Sequence, residues 1–70
     1  MLNKELVRRK VNSIDEYISE IRPVLDGKST EEIAGDVLIL RAVERNFQLI
    51  VDTMLDINTH IIAAESLKSA

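Results

Sequence analysis

Three polar residues in the second half of the chain have the types and the spacing that could support chemistry. Asp52, Asp56 and His60 follow one another at intervals of four residues, so a helix would place them along one face. Asp56 could then tune the imidazole of His60 as a general acid or base. The alternative is a charge pair on a helix surface, or a histidine that lines a dimer cleft. Because no second acid, base or nucleophile accompanies the pair, this alternative is favoured.

The same three residues could bind a metal ion if two copies of the chain met across an axis. Carboxylate-bridged metal sites in helical bundles use glutamate and histidine side chains that project into the core. Here the three residues lie away from the apolar side of the helix, and aspartate is a short side chain for a core metal. We therefore predict no metal site, and no residue pattern suggests a cofactor.

Positive charge is concentrated in two places. Arg41 and Arg45 precede the aspartates, and together with Asp56 and His60 they form a possible polar cleft. The other group, near the amino terminus, consists of Lys4, Arg8, Arg9 and Lys10. Such groups could hold RNA phosphates. A net charge of −3 and the absence of aromatic residues between the basic ones favour a solvated surface instead.

These polar residues belong to a long amphipathic segment from Val37 to Ala64. At about 100° per residue its large apolar side chains fall in one sector roughly 160° wide. They are Leu40, Val43, Phe47, Ile50, Val51, Met54, Leu55, Ile57, Ile61 and Ile62. Glu44 and Asn58 lie inside this sector. Each either reaches solvent at the sector edge or makes a polar contact that fixes the register of a dimer, with a catalytic role for Glu44 as a third interpretation.

The first part of the chain predicts another helix. Its apolar residues alternate at spacings of four and three over nearly three repeats, which is the heptad pattern of a bundle helix. Asn3 is a plausible N-cap, and Asp26-Gly27 is typical of a helix end. Pro23 removes one backbone hydrogen bond, so a bend or fraying is expected near residues 19–23.

A short turn connects the two helices. Ser29-Thr-Glu-Glu32 matches a capping box, and Asp36 can cap the helix that follows. The sequence therefore predicts an all-α fold, a long antiparallel helical hairpin with a short intervening helical turn. The predicted bounds are one domain over 1–70, helix one over about 3–25, the turn over about 29–34 and helix two over about 37–65.

Size and composition indicate that this hairpin needs a partner. A 70-residue chain buries only about 60% of its unfolded surface, and without cysteine it has neither disulfides nor thiolate metal sites. Another subunit is the remaining way to complete a core. We predict a homodimer or higher oligomer in which the hairpins form an antiparallel four-helix bundle. The predicted interface consists of Leu40, Val43, Glu44, Phe47, Ile50, Met54, Asn58 and Ile61.

The composition also excludes several classes of protein. Apolar residues make up 46% of the chain and aromatic residues 3%, with two glycines and one proline, which favours helices over sheets. No apolar run approaches the roughly 18 residues of a membrane span, and the amino terminus lacks the apolar core of a signal peptide. We expect no membrane association and a cytoplasmic location.

Two segments resemble the HepT-like HEPN proteins. Arg41-Ala-Val-Glu-Arg-Asn-Phe-Gln48, followed by Asp52 and by Asp56-Ile-Asn-Thr-His-Ile-Ile62, resembles the second long helix of that family. The first helix, with Leu6-Val-Arg-Arg-Lys10 and Ile14-Asp-Glu-Tyr-Ile18, resembles the family's opening helix. The resemblance covers essentially all of the chain and keeps the family's order.

The resemblance implies a dimeric all-α component of a toxin–antitoxin system. The better understood members of the family are ribonuclease toxins, paired with a minimal nucleotidyltransferase antitoxin that can add AMP to a tyrosine. Their catalytic signature is an arginine, about four intervening residues, a histidine and shortly a tyrosine, on a later helix of a chain about twice this length. In the present chain fourteen residues separate Arg45 from His60, and Tyr17 is far from both. No catalytic residue is therefore carried over.

We expect the chain to supply the dimerisation scaffold of a HepT-like component without its catalytic motif. RNA would then bind only through a fuller form, and the 70 residues alone would not be catalytic. A natural short form, a split gene product and a fragment of a longer protein all stay open. The alternative function is a non-catalytic interaction module that binds a nucleotidyltransferase or a full-length relative.

Overall fold

Three helices arranged as a long antiparallel hairpin make up the protein. The computed structural model describes residues 2–69, with side chains as far as residue 66. Helix α1 spans Lys4–Leu25, α2 spans Thr30–Ala34 and α3 spans Val37–Ser69. α1 packs along α3, and the short α2 lies beside α3. The described residues include no strand, so the predicted all-α class is confirmed.

The helices begin at the residues whose side chains can cap them. The side-chain oxygen of Asn3 accepts a hydrogen bond from the backbone N–H three residues later, at 3.0 Å. Ser29 and Glu32 form the predicted capping box, in which each side chain accepts from the other residue's backbone N–H. Asp36 accepts from the backbone N–H groups two and three residues later, at 3.0 and 3.2 Å. All three predicted caps are confirmed, and each satisfies donors that helix geometry leaves without partners.

α1 ends in a turn that depends on glycine. Gly27 has a φ of 75°, and the backbone N–H of Lys28 donates to the carbonyl oxygen of Leu25 at 3.2 Å, which is typical of a type II turn. Residues 19–23 are helical throughout, so the expected fraying near Pro23 is not observed. Pro23 removes only one donor in the last turn, where few intrahelical bonds remain to be broken.

α3 is longer than the sequence pattern predicted. It continues to Ser69 rather than ending at about residue 65. The apolar periodicity stops there, but the segment after Glu65 contains neither glycine nor proline. Nothing in its backbone chemistry therefore ends the helix.

The hairpin is a single layer without an enclosed core. None of the described residues is buried. The radius of gyration is 16.3 Å and the Cα atoms extend over 52 × 17 × 14 Å, whereas a compact domain of this length has a radius of gyration of about 11 Å. The α1–α3 contact therefore shields apolar side chains only partly, and a second layer would be needed to bury them.

Candidate functional site

A polar contact joins the middle of the two long helices. The side-chain amide of Asn46 on α3 donates a hydrogen bond to the backbone carbonyl oxygen of Tyr17 on α1, at 2.7 Å. This contact is partly buried, and within α1 that carbonyl oxygen already accepts the ordinary helical hydrogen bond. Asn46 therefore fixes the register of α3 along α1. It was not among the site residues predicted from the sequence.

Two further contacts join the amino-terminal end of α1 to α3. Lys10 Nζ lies 3.3 Å from Asp56 Oδ2 as a hydrogen-bonded ion pair. The backbone N–H of Asn3 donates to His60 Nε2 at 3.0 Å. Nε2 can accept this bond only while it carries no proton. Asp56 and His60 therefore each bind α1, and the expected carboxylate–imidazole pair is replaced by two links between helices.

The four residues of the possible polar cleft do not converge within one chain. Arg41 and Arg45 are exposed on α3, and this helix is continuous from Val37 to Ser69. At 1.5 Å per residue, Arg45 lies about 16 Å along the axis from Asp56 and farther from His60. A cleft that combines all four residues stays a prediction about an assembly of chains.

No metal site forms from the acidic ladder within the structure's described part. There, no group of three or more histidine, cysteine, aspartate or glutamate side chains is placed to hold a metal ion. Asp52 is exposed, while Asp56 and His60 are held by Lys10 and Asn3. The spacing of four residues therefore places the three side chains on one face of α3 but does not bring them together around one metal ion.

The basic cluster of α1 is divided among different partners. Arg8 forms an exposed ion pair with Glu5 at 3.6 Å, whereas Lys10 is directed to Asp56 on α3. Lys4 and Arg9 are exposed. Two of the four charges, those of Arg8 and Lys10, are therefore paired with carboxylates, and exposed ion pairs of this kind contribute little to stability.

The line of contact between α1 and α3 includes residues that the apolar pattern alone does not predict. Ile39, Asn46, Thr53 and His60 repeat every seven residues, and all four are half-buried. The Thr53 hydroxyl donates to a backbone carbonyl four residues earlier on its own helix, at 2.8 Å, so it needs no partner on α1. The sequence signal for this line of contact is a column of residues seven apart, three of which are polar. A pattern built on large apolar side chains does not include them.

The apolar sector of α3 divides into two edges. Val43, Ile50 and Ile57 are half-buried on the edge that faces α1. Phe47 and Met54, on the other edge, are 66% and 55% exposed. Two of the predicted interface residues, Val43 and Ile50, therefore already take part in the contact within the chain. Leu40 is half-buried as well, and the other five are exposed.

α1 contributes to the same outward surface. Val11 and Ile18 are exposed on α1, and the links between the helices bring Ile18 level with Phe47 and Val11 level with Met54. The helical repeat turns all four side chains to one broad side of the hairpin. We name this surface the apolar face. Its members are Val11, Ile18, Leu40, Glu44, Phe47, Val51, Met54, Leu55, Asn58, Ile61 and Ile62.

Comparison with known proteins identifies the family to which this hairpin corresponds. The family model described as ribonuclease HepT-like matches residues 14–70, which include all of α2 and α3 and most of α1. The chain belongs to the HepT-like ribonuclease family. Neither the curated proteins nor the solved structures compared with this HepT-like chain include a match.

The family match includes nearly all of the apolar face. Of its members only Val11 precedes the matched residues. None of the helices, over the residues described, is both long enough and apolar enough to cross a membrane.

Proposed function

We propose that this HepT-like chain is the dimerisation scaffold of a toxin–antitoxin component, and that it does not itself cleave RNA. One observation carries the proposal: the described chain has no buried residue, while the apolar face exposes Phe47, Met54 and Leu55 by more than half. Soluble monomers seldom expose a contiguous apolar patch larger than a few hundred Å². A second hairpin packed on this face completes a four-helix bundle and encloses the missing core.

The geometry around the histidine supports the non-catalytic half of the proposal. Arg45, the nearest upstream arginine, lies about 22 Å from His60 along α3. The Nε2 atom of His60 is occupied by the backbone N–H of Asn3. A general acid or base must reach the proton that it transfers within hydrogen-bonding distance, and here that atom stabilises the hairpin instead.

Family membership supports the proposed partners of the assembled scaffold. Cleavage of RNA, the activity named for the family, would require a fuller form that carries the arginine–histidine motif. A minimal nucleotidyltransferase is the proposed antitoxin partner. Because both would act where cellular RNA is translated, a cytoplasmic location is part of the proposal.

Two measurements on the purified chain test the proposal. Light scattering coupled to gel filtration at micromolar concentration should give twice the chain mass. Incubation with total RNA should leave the RNA intact, both for this chain and for its His60→Ala variant. A stably folded monomer would contradict the scaffold role. RNA cleavage that is lost in the His60→Ala variant would contradict the proposal that the chain does not cleave RNA.

An interaction module that pairs with a different protein is the second candidate. The same exposed face supports it, because a full-length relative would present a similar apolar surface. Co-expression with a minimal nucleotidyltransferase, followed by mass measurement of the complex, separates the two candidates. A heterodimer that forms at the expense of the homodimer favours the interaction module, and a homodimer with the nucleotidyltransferase bound outside it favours the scaffold.

A further inference from the structure

Two polar residues interrupt the apolar face at equal distances from its middle. Glu44 and Asn58 each lie seven residues from Val51 on α3. Both are exposed, and among the described residues neither side chain has a hydrogen-bond or ion-pair partner. A carboxylate can only accept hydrogen bonds, whereas the asparagine amide carries two donors. The two side chains are therefore chemically complementary, but about 21 Å of helix separates them within one chain.

A second copy of the chain related by a two-fold axis brings Glu44 next to Asn58 only if the two α3 helices run antiparallel. If two α3 helices cross antiparallel with the two-fold axis at Val51, Glu44 of each copy lies level with Asn58 of the other. The apolar positions then also match, with Phe47 opposite the Met54–Leu55 pair. A parallel dimer in register would instead place Glu44 against Glu44, and like charges facing each other are unfavourable.

We propose that the apolar face is occupied by a second copy of this chain, antiparallel about a two-fold axis at Val51, with Glu44 accepting a hydrogen bond from Asn58 of the other copy. The contact occurs twice, as an isologous interface requires. This inference rests on the proposed dimer and adds its direction and register.

The size of the face agrees with this occupant. The apolar face runs along α3 from Leu40 to Ile62, about 33 Å of helix, and the hairpin is 17 Å across in its second-longest direction. In flat projection the face therefore covers on the order of 560 Å², and its accessible surface is larger because the side chains project from it. A stable interface of standard size buries about 800 Å² on each partner. One further hairpin of the same dimensions therefore covers the face.

Single cysteine variants test the direction and the register. The described chain has no cysteine, so each introduced thiol is the only one that can react. Across the proposed axis, Val51→Cys should form a disulfide-linked dimer on mild oxidation, since a disulfide needs Cα atoms within about 7 Å. Leu40→Cys should not link to itself, because antiparallel pairing separates the two copies of this residue by about 33 Å.

A mixed oxidation provides the control for thiol reactivity. Leu40→Cys mixed with Ile62→Cys should give the disulfide-linked heterodimer, because these residues lie level in the antiparallel arrangement about Val51. Self-linking of Leu40→Cys would show a parallel dimer and overturn the proposal. If light scattering gives a dimer but Val51→Cys fails to link, the register is wrong while the dimer stands. If light scattering gives a monomer, the proposed function fails together with the inference.

A charge experiment tests the contact between Glu44 and Asn58. Asn58→Asp is nearly isosteric but places a carboxylate opposite Glu44 twice in the dimer, so the dimer dissociation constant should rise about tenfold or more. Adding Glu44→Gln to Asn58→Asp should restore tight association, because the amide can then donate to the new carboxylate. Asn12→Asp, which adds the same charge at an exposed position of α1, should leave the constant unchanged.

Three results of the charge experiment would overturn the contact. The first is an Asn58→Asp dimer as tight as the original. The second is a double variant no tighter than Asn58→Asp alone. The third is an equal loss of affinity in the Asn12→Asp control, which would assign the effect to net charge.

Discussion

At the residue scale, single polar contacts hold the two long helices in place. Asn46, Lys10 and His60 each take part in a cross-helix link, and these links lie near the middle and at one end of α1. In a hairpin whose described residues include no buried side chain, a partly buried hydrogen bond is a large share of the specific interaction energy. A typical one contributes about 1 kcal/mol.

Asn46→Ala should lower the stability of the protein by about 1 kcal/mol, because it removes the donor to the Tyr17 carbonyl. For a domain of this size that corresponds to a fall in Tm of about 4 to 8 °C. Gln48→Ala, at an exposed position two residues on, is the matched control and should change Tm little. Circular dichroism melts at one fixed protein concentration make the comparison. Equal Tm values for the two variants would contradict the role assigned to Asn46.

His60→Ala should lower stability by about 0.5 to 1 kcal/mol, because the Asn3 N–H loses its acceptor while water can replace it in part. Amide hydrogen exchange should show faster exchange at Asn3. Thr59→Ala, at the exposed neighbouring position, is the control. Unchanged exchange at Asn3 in His60→Ala would show that the link does not persist in solution.

At the element scale, capping determines where the helices begin, and the heptad columns determine which sides of them meet. The start of α3 depends on the cap at Asp36, because only residues 35 and 36 separate α3 from α2. Its carboxylate accepts from two backbone N–H groups of the first turn. The negative charge also lies at the helix end where the helix dipole favours it.

Asp36→Ala should destabilise the protein by about 1 kcal/mol through the loss of this cap. Asp52→Ala removes the same charge from an exposed position in the middle of α3, and is expected to have a much smaller effect. Urea denaturation followed by circular dichroism measures both. A similar loss in the two variants would attribute the effect to charge rather than to capping.

At the scale of the whole molecule, the hairpin leaves one side of its apolar surface uncovered. In the proposed dimer, stability depends on association and rises with protein concentration. The Tm should therefore increase with concentration, and variants of the apolar face should change assembly and stability together.

Phe47→Glu should weaken the dimer by about 100-fold or more, because each interface loses two aromatic side chains and gains two unpaired charges. Gln48→Glu adds the same charge at the adjacent exposed position, outside the apolar face, and should leave the dimer intact. Sedimentation equilibrium gives both dissociation constants. An unaffected Phe47→Glu dimer would place the interface elsewhere on the molecule.

The helices and their family could be predicted from local sequence. Asn3, the Ser29–Glu32 box and Asp36 cap helices because their side chains satisfy backbone donors a few residues away, and such contacts depend little on the rest of the fold. The resemblance over the long helix also agrees with the family match over residues 14–70. The family and the helix starts therefore followed from neighbouring residues alone.

The tertiary structure decided which edge of the apolar sector of α3 remains free. A sector roughly 160° wide can pack against α1 by either edge, and periodicity treats Val43 and Phe47 alike. The choice depends on partners distant in sequence, since His60 binds Asn3 and Asn46 binds the Tyr17 carbonyl. In the arrangement that contains these hydrogen bonds, Val43 is half-buried and Phe47 is exposed. The chemistry of His60 was likewise determined by an amide 57 residues away, which no local spacing of polar residues encodes.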